Sequence, residues 1–294
     1  MQNGVEGQNY GSSVARYVFA NSDERAKFRY RDLSTLYDSQ TVTHLTRLGV
    51  DTGWSCLEVG AGGGSIAAWL CERVGNSGRV LATDIEPCFL VMLPFGNLQV
   101  RRHDVRMEGL PKGEFDLVHA RLVLMHLPGR ELALARMIEA VKPGGWIVVE
   151  EFDVLSIFPD VAIRPAEEPL RIIRAFYQVM TSRGVELRYG RRLPHQLQER
   201  GLVNIGAEAN MSLWQGRSAG TNMFKLSFEE LADPILRSGL ISQAEFEADM
   251  ERLDQQHFLM ASPMMWTAWA QVPEFSPYAT WLDVNSTTEH EYRR

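Results

Sequence analysis

The sequence predicts an α/β fold: a mostly parallel seven-stranded sheet with helices on both faces. Three observations carry that expectation. Between residues 54 and 152, short apolar runs with β-branched residues alternate with helical segments, the pattern of strands covered on both faces. Four glycines, Gly60, Gly62, Gly63 and Gly64, stand where the first run hands over to a helix. Pro143-Gly144-Gly145 marks a later handover, because proline cannot continue a hydrogen-bond ladder and glycine accepts the reversal.

Taken in order, residues 1–13 are rich in Gly, Asn, Gln and Ser and read as loosely ordered unless something holds them. From Ser22 to Leu48, Phe28, Leu33, Leu36, Tyr37, Leu45 and Leu48 recur at helical spacing, and Gly49 is the stop. Strands are expected at 54–60, 79–85, 98–104, 115–121 and 146–152, with helices at 65–75 and 130–141. After Asp153 the rhythm breaks. Leu170, Ile173, Phe176, Tyr177 and Met180 form one helical stripe, so 154–190 reads as an insertion above the sheet. A helix at 191–200, a strand at 202–209, helices within 227–258 and a last strand at 264–272 complete the expectation. The implied organisation is an N-terminal helical segment and lid at 1–49, a ligand-binding core at 50–153, the insertion at 154–190, and the rest of the fold with C-terminal helices at 191–294.

Composition narrows the function. With 45% hydrophobic and 23% charged residues the chain reads as an ordinary globular enzyme. A net charge of -7 opposes a nucleic-acid binder, since that binding depends on clustered cations releasing counterions. No stretch approaches the roughly 18 apolar residues that suggest a membrane span, and the first twenty residues hold no apolar signal core, so a cytoplasmic protein is expected. Cys56, Cys71 and Cys88 lack a CxxC spacing and are expected as buried thiols. No residue pattern suggests a metal.

The glycine loop points to a ligand with a nucleoside. A strand, a bare loop and a helix start let such a ligand lie against backbone. Glu58-Val59-Gly60-Ala61-Gly62-Gly63-Gly64-Ser65 satisfies E-x-G-x-G-x-G, while Ser65 takes the third glycine position of dinucleotide loops. A carboxylate at Glu58 suits the ammonium and sulfonium of S-adenosylmethionine and would repel a pyrophosphate. Asp84 ends the second strand, where an acid accepts from ribose hydroxyls. Asp104 ends the third, where it and nearby backbone could hold an adenine amino group, with Val105 or Ile85 against the ring.

LEVGAGGGS, VLATDIEP, RRHDV, FDLVHARLVLMHLP and VKPGGWIVVEE, in this order, resemble the class I S-adenosylmethionine-dependent methyltransferases, and among them the small-molecule enzymes of bacterial specialised metabolism. The resemblance covers residues 50–152 strongly and 190–210 moderately. It implies a Rossmann-like fold with a helical lid, S-adenosylmethionine as cofactor, and a small-molecule acceptor methylated on oxygen or nitrogen. By the same resemblance Glu58, Gly60 and Gly62 line the methionine and ribose side, Asp84 and Ile85 the ribose and adenine, Asp104 and Val105 the adenine, and Ala120 and Arg121 the methionine moiety; Tyr17 is a further candidate cofactor-binding residue. Ala120-Arg121-Leu122-Val123 replaces the Asn/Asp-Pro-Pro-aromatic motif of base-modifying relatives, which weighs against a nucleobase substrate.

For the reaction itself, His126 and Glu151 are the candidate acid–base groups at the carboxyl edge of the sheet. Glu150 and Glu151 point to opposite faces of an extended strand, so at most one enters the site. Tyr10, Tyr17, Phe19, Tyr177 and Trp214 are candidate aromatic walls, and residues 10–30 are expected to close over the acceptor together with 154–190. A homodimer supported by the N-terminal segment is the competing role for that segment. Two other functions stay open: a relative that binds S-adenosylmethionine but performs a cyclisation or decarboxylation, and an NAD-dependent oxidoreductase.

Overall fold

The computed structural model describes Phe19 and residues 24–157 and 170–274. Helix α1 (Glu24–Arg47) precedes the sheet. Then β1 (Ser55–Val59), α2 (Ser65–Val74), β2 (Arg79–Asp84), β3 (Leu98–Arg102), β4 (Phe115–Arg121), α3 (Arg130–Ala140) and β5 (Val141–Asp153) follow in the expected alternation. Strand β5 begins before Pro143 rather than after Gly145, and the bulge this leaves shifts its register against β4 between Phe115 and Leu117. After α4 (Ile172–Ser182) and α5 (Tyr189–Glu199) come β6 (Val203–Asn210), β7 (Leu213–Gln215), α6 (Ala219–Glu230), α7 (Ala232–Arg237), α8 (Gln243–Leu253), β8 (Leu259–Ala261) and β9 (Met264–Gln271).

Seven strands form one sheet in the order β3-β2-β1-β4-β5-β9-β6. Neighbours from β3 to β5 are parallel, and β9 is inserted antiparallel between β5 and β6. Alternation divides the strand side chains between two cores. Cys56, Leu117 and Val148 join Leu45 of α1 and Leu70 and Val74 of α2 on one face. Leu57, Val118, Ile147 and Val149 meet Leu134 and Met137 of α3 and Leu193 and Leu197 of α5 on the other. Both faces are therefore dry, as the continuous apolar runs demand.

Two features depart from the sequence reading. Residues 213–261 form a helical excursion between β6 and β9, closed at its base by the β7–β8 pair. Its first helix starts at Ala219, not near 227, behind a Ser218 cap that accepts from the Thr221 amide. Ala219-Gly220-Thr221-Asn222 carries no apolar period, so the cap alone marked the start. Cys88 is exposed while Cys56 and Cys71 are buried, which corrects the expectation of three buried thiols.

Helices α1 and α6 are joined over the carboxyl edge of the sheet. Arg29 Nη1 lies 2.7 Å from Glu230 Oε2, and Asn222 Nδ2 donates to Asp32 Oδ2 at 2.5 Å. Among the described residues no helix is long and apolar enough to cross a membrane, and no cluster of three or more His, Cys, Asp or Glu could hold a metal.

Candidate active site

A pocket opens at the carboxyl ends of β1 to β5. Gly60, Gly62, Asp84, Ile85, Asp104, Val105, Arg121 and His126 all line it. An adjoining cleft beneath the glycine loop is lined by Glu58 and Ser65, and it shares Tyr30, Gly60, Gly62 and Arg121 with the pocket. Pocket and cleft are thus two ends of one site. Two of the expected residues are not part of its lining. Ala120 is fully buried in the core, so only the neighbouring Arg121 reaches the site. Glu151 lies behind the wall, as described below. Tyr17 falls outside the described residues, as does Tyr10.

The glycine loop serves the protein as well as a ligand. Gly60 and Gly62 have φ of +68° and +52°, which residues with a Cβ rarely adopt. A Cβ at Gly60 would stand 2.4 Å from Val123 Cγ2, and one at Gly62 would stand 2.7 Å from Tyr30 Cε1. The bare backbone therefore accommodates two side chains of the wall. Asp84 holds the loop in turn: its Oδ2 accepts from the Gly62 amide and its Oδ1 from the Glu86 amide, both at 2.9 Å. Burial pushes its carboxyl above the ordinary range, and these backbone donors act against that shift.

Asp104 is engaged by its own neighbour. Arg106 grips it in bidentate fashion, Nε to Oδ1 at 2.9 Å and Nη2 to Oδ2 at 2.7 Å, and this pairing holds the carboxyl below its usual range. An adenine amino group would share the carboxylate with a guanidinium. Sequence reasoning missed that partner, although a cation two residues on was the available signal.

Beneath the cleft lies a buried ionic group that spacing did not reveal. His119 on β4 is opposite Glu58 on β1 in the parallel register. Its Nδ1 is 2.7 Å from Glu58 Oε2 and its Nε2 is 3.3 Å from Glu150 Oε2. Thr41 donates to Glu150 Oε2 at 2.5 Å and Thr267 to Glu150 Oε1 at 2.8 Å. Arg121 completes the cluster, bonding Thr41 Oγ1 at 2.9 Å and Asp38 Oδ1 at 2.7 Å. Burial opposes the charge on His119, but Glu58 and Glu150 outweigh it and raise the ring to about 9. Burial likewise opposes the charge on Glu150, yet His119, Arg121 and Thr41 bring it down to about 2.

The candidate acid–base residues sit on and behind one turn. Leu122, a pocket residue, has φ +57°, a conformation that costs a non-glycine residue roughly 1–3 kcal/mol. Glu150 and Glu151 pin the segment down. The Leu122 amide donates to the Glu150 carbonyl at 2.8 Å, and the Val123 and Leu124 amides donate to Glu151 Oε1 at 3.1 and 2.6 Å. Glu151 is fully buried, and that burial pushes it up to about 8 against the pull of those backbone donors. It is built to support the turn rather than to touch a ligand. His126 does line the pocket, edge-on to Phe19 with ring centroids 6.1 Å apart. Burial and the nearby Arg29 and Arg130 lower it to about 3, so the ring is neutral at physiological pH.

The far wall is apolar and comes from distant segments. Phe152 ends β5, Phe176 and Met180 come from α4, and Met223 and Phe224 from α6. Phe19 was anticipated; Tyr177 and Trp214 were too, but neither lines the pocket. Tyr177 turns its hydroxyl to the Val154 carbonyl at 2.8 Å, and Trp214 packs on Phe224. A Phe and Met stripe reads as core in a sequence, which is why the α6 wall was missed.

Residues 57–149 match the family described as methyltransferase domain. Methyltransferase str3 of Strobilurus tenacellus is 39% identical over 103 residues, 35% of this chain and 36% of its own length. Methyltransferase str2 of the same organism is 32% identical over 146 residues, 48% and 50% of the two chains. A ubiquinone/menaquinone biosynthesis C-methyltransferase of Laribacter hongkongensis is 33% identical over 114 residues, covering 37% of this chain and 47% of its own. The chain thus spans half or less of these relatives' length. Among solved structures, a putative methyltransferase from Bacillus halodurans aligns with a TM-score of 0.52 at 14% identity, over 79% of this chain and 98% of that one. At that identity the likeness speaks for the fold. The matched domain places residues 57–149 among the methyltransferase domains, and the sheet order is that of a Rossmann-like α/β fold.

Proposed function

We propose that the protein transfers a methyl group from S-adenosylmethionine to a small, largely apolar acceptor. One observation carries the reading: a single site joins carboxylates on strand ends to a wall of Phe and Met side chains. The donor set fits the cofactor. Asp84 keeps lone pairs for ribose hydroxyls beyond its two backbone bonds. Ile85 and Val105 flank the adenine position, with the Asp104–Arg106 pair at its edge. Glu58 suits the ammonium of the methionine end and Arg121 its carboxylate, both lining the cleft.

When bound, the cofactor supplies an electrophilic methyl on a sulfonium. The chain's part is to align the acceptor and exclude water. Phe152, Phe176, Met180, Met223 and Phe224 do both. His126, with its depressed basicity, offers the acceptor a neutral nitrogen rather than a strong base. The acceptor atom is oxygen or nitrogen on the sequence reading, and relatives named as C-methyltransferases add carbon. The apolar wall and the relatives named for quinone biosynthesis both favour an aromatic acceptor.

Calorimetry with S-adenosylmethionine and NAD, followed by S-adenosylhomocysteine release with phenol, hydroquinone and aryl-amine acceptors, tests this. Tight binding of S-adenosylmethionine and stoichiometric product with one of them is expected. Binding of NAD instead, or a bound cofactor never turned over across the acceptor set, overturns the reading.

A further inference from the structure

Within the buried ionic group beneath the cleft, His119 and Glu150 line neither pocket nor cleft, yet the fold invests five elements in holding them. His119 is fully buried, and both ring nitrogens face carboxylate oxygens, Glu58 Oε2 at 2.7 Å and Glu150 Oε2 at 3.3 Å. A neutral imidazole has one N–H, so only an imidazolium can donate to both. Glu150 takes Thr41 from α1 and Thr267 from β9, and Arg121 on β4 is paired with Asp38 of α1. Glu58, His119 and Glu150 therefore form a trio with one net negative charge. Its only member lining the cleft is Glu58, whose Oε2 is held by His119 and whose Oε1 remains for a ligand.

We propose that His119 is a positioning residue for cofactor binding, its imidazolium cancelling the Glu150 charge so that Glu58 stays a carboxylate aimed at the cationic methionine end. This rests on the reading of the cleft as an S-adenosylmethionine site. Remove the ring charge, and two buried carboxylates are left with no cation between them, an arrangement that disfavours holding both charges. The cationic end of the cofactor then meets a weaker counter-ion.

The logic makes a rescue possible. His119→Gln keeps a donor toward Glu58 but leaves the second carboxylate, so the dissociation constant for S-adenosylmethionine rises roughly tenfold or more, the range of a charged hydrogen bond. In the double variant His119→Gln/Glu150→Gln the competing carboxylate is gone, and affinity returns most of the way to wild type. If His119 only fills space, the second substitution adds to the damage, and that result overturns the proposal. A second measurement needs no variant: nitrogen-15 signals of the wild-type histidines, free of ligand, report the charge directly. One histidine carrying protons on both nitrogens up to about pH 9 is expected. A neutral His119 at pH 7.5 overturns the proposal. Wild-type protein that binds no S-adenosylmethionine but shows the imidazolium fails the cofactor reading, and the link from His119 to Glu58's ligand falls with it.

Discussion

The two walls of the site are built on different principles. The proposed cofactor wall is backbone and acids at strand ends, drawn from one stretch between Glu58 and Arg121, and held by Asp84 on Gly62 and Arg106 on Asp104. The proposed acceptor wall is large side chains, Phe152 of β5 and others on the faces of α4 and α6, which are far apart in the chain. The first is held by hydrogen bonds, the Gly62 and Glu86 amides to Asp84 and Arg106 to Asp104. The second is shaped by packing, where a Met or Phe can be exchanged at modest cost. A constant ligand thus meets the wall whose geometry the backbone dictates, and a variable ligand meets the wall that mutation can reshape.

The largest effect should come from breaking the cofactor wall at its backbone. Gly60→Val adds a β-branched side chain at φ +68°, where a Cβ already meets Val123 at 2.4 Å. Either the loop or the Leu122–Val123 segment must move, and that segment is already strained. Loss of cofactor binding by about a hundredfold or more is expected by calorimetry, corresponding to roughly 3 kcal/mol. Undiminished affinity in a folded variant would show that the loop does not touch the ligand.

A milder pair of changes tests whether the walls are separable. Asp84→Asn retains the shape but loses the charged acceptor, so cofactor affinity should fall about tenfold with the acceptor KM little changed. Phe224→Leu should do the reverse, raising the acceptor KM severalfold and costing about 1 kcal/mol of stability, with the cofactor dissociation constant within about twofold of wild type. If both substitutions shift both constants together, cofactor and acceptor do not occupy distinct walls.

The same difference governs what could be read from the sequence. The stretch LEVGAGGGS was legible because a ligand that needs bare backbone and a nearby acid leaves both in one short run. Asp84, the last residue of β2, and Asp104, two residues past β3, both reach the pocket because strand ends lead there. His119 was not legible, since its partners Glu58 and Glu150 are 61 and 31 residues away and only sheet register brings them together. Glu151, expected as an acid–base group, stands behind the turn, because alternation tells which face a strand residue takes, but not whether that face is pocket or backing. Met223 and Phe224 carry no polar signal at all. Packing decides whether such residues line a cavity or fill one, and packing is not local in sequence.

The pH dependence of stability tests the electrostatics behind the two walls, because the buried groups there titrate in opposite senses. On the acceptor wall, His126 is lowered from 6.5 to about 3, so between those values the unfolded chain binds the extra proton and stability rises with pH. Glu150, lowered from 4.5 to about 2, acts in the same sense below pH 4.5. Behind the turn, Glu151 is raised from 4.5 to about 8, so across that span the folded chain binds the extra proton and stability falls with pH. His119, raised from 6.5 to about 9, adds to that fall above pH 6.5. From these four groups the melting temperature should climb to about pH 4.5, hold level to about 6.5 where His126 and Glu151 cancel, and then decline toward pH 9. Glu151→Gln removes one side of the cancellation, so the plateau should tilt upward to a maximum near pH 6.5. His126→Asn removes the other side, and the decline should begin near pH 4.5. Thermal unfolding of the three proteins across this range decides it: a plateau that neither substitution tilts would mean that the two groups do not carry these opposed charges.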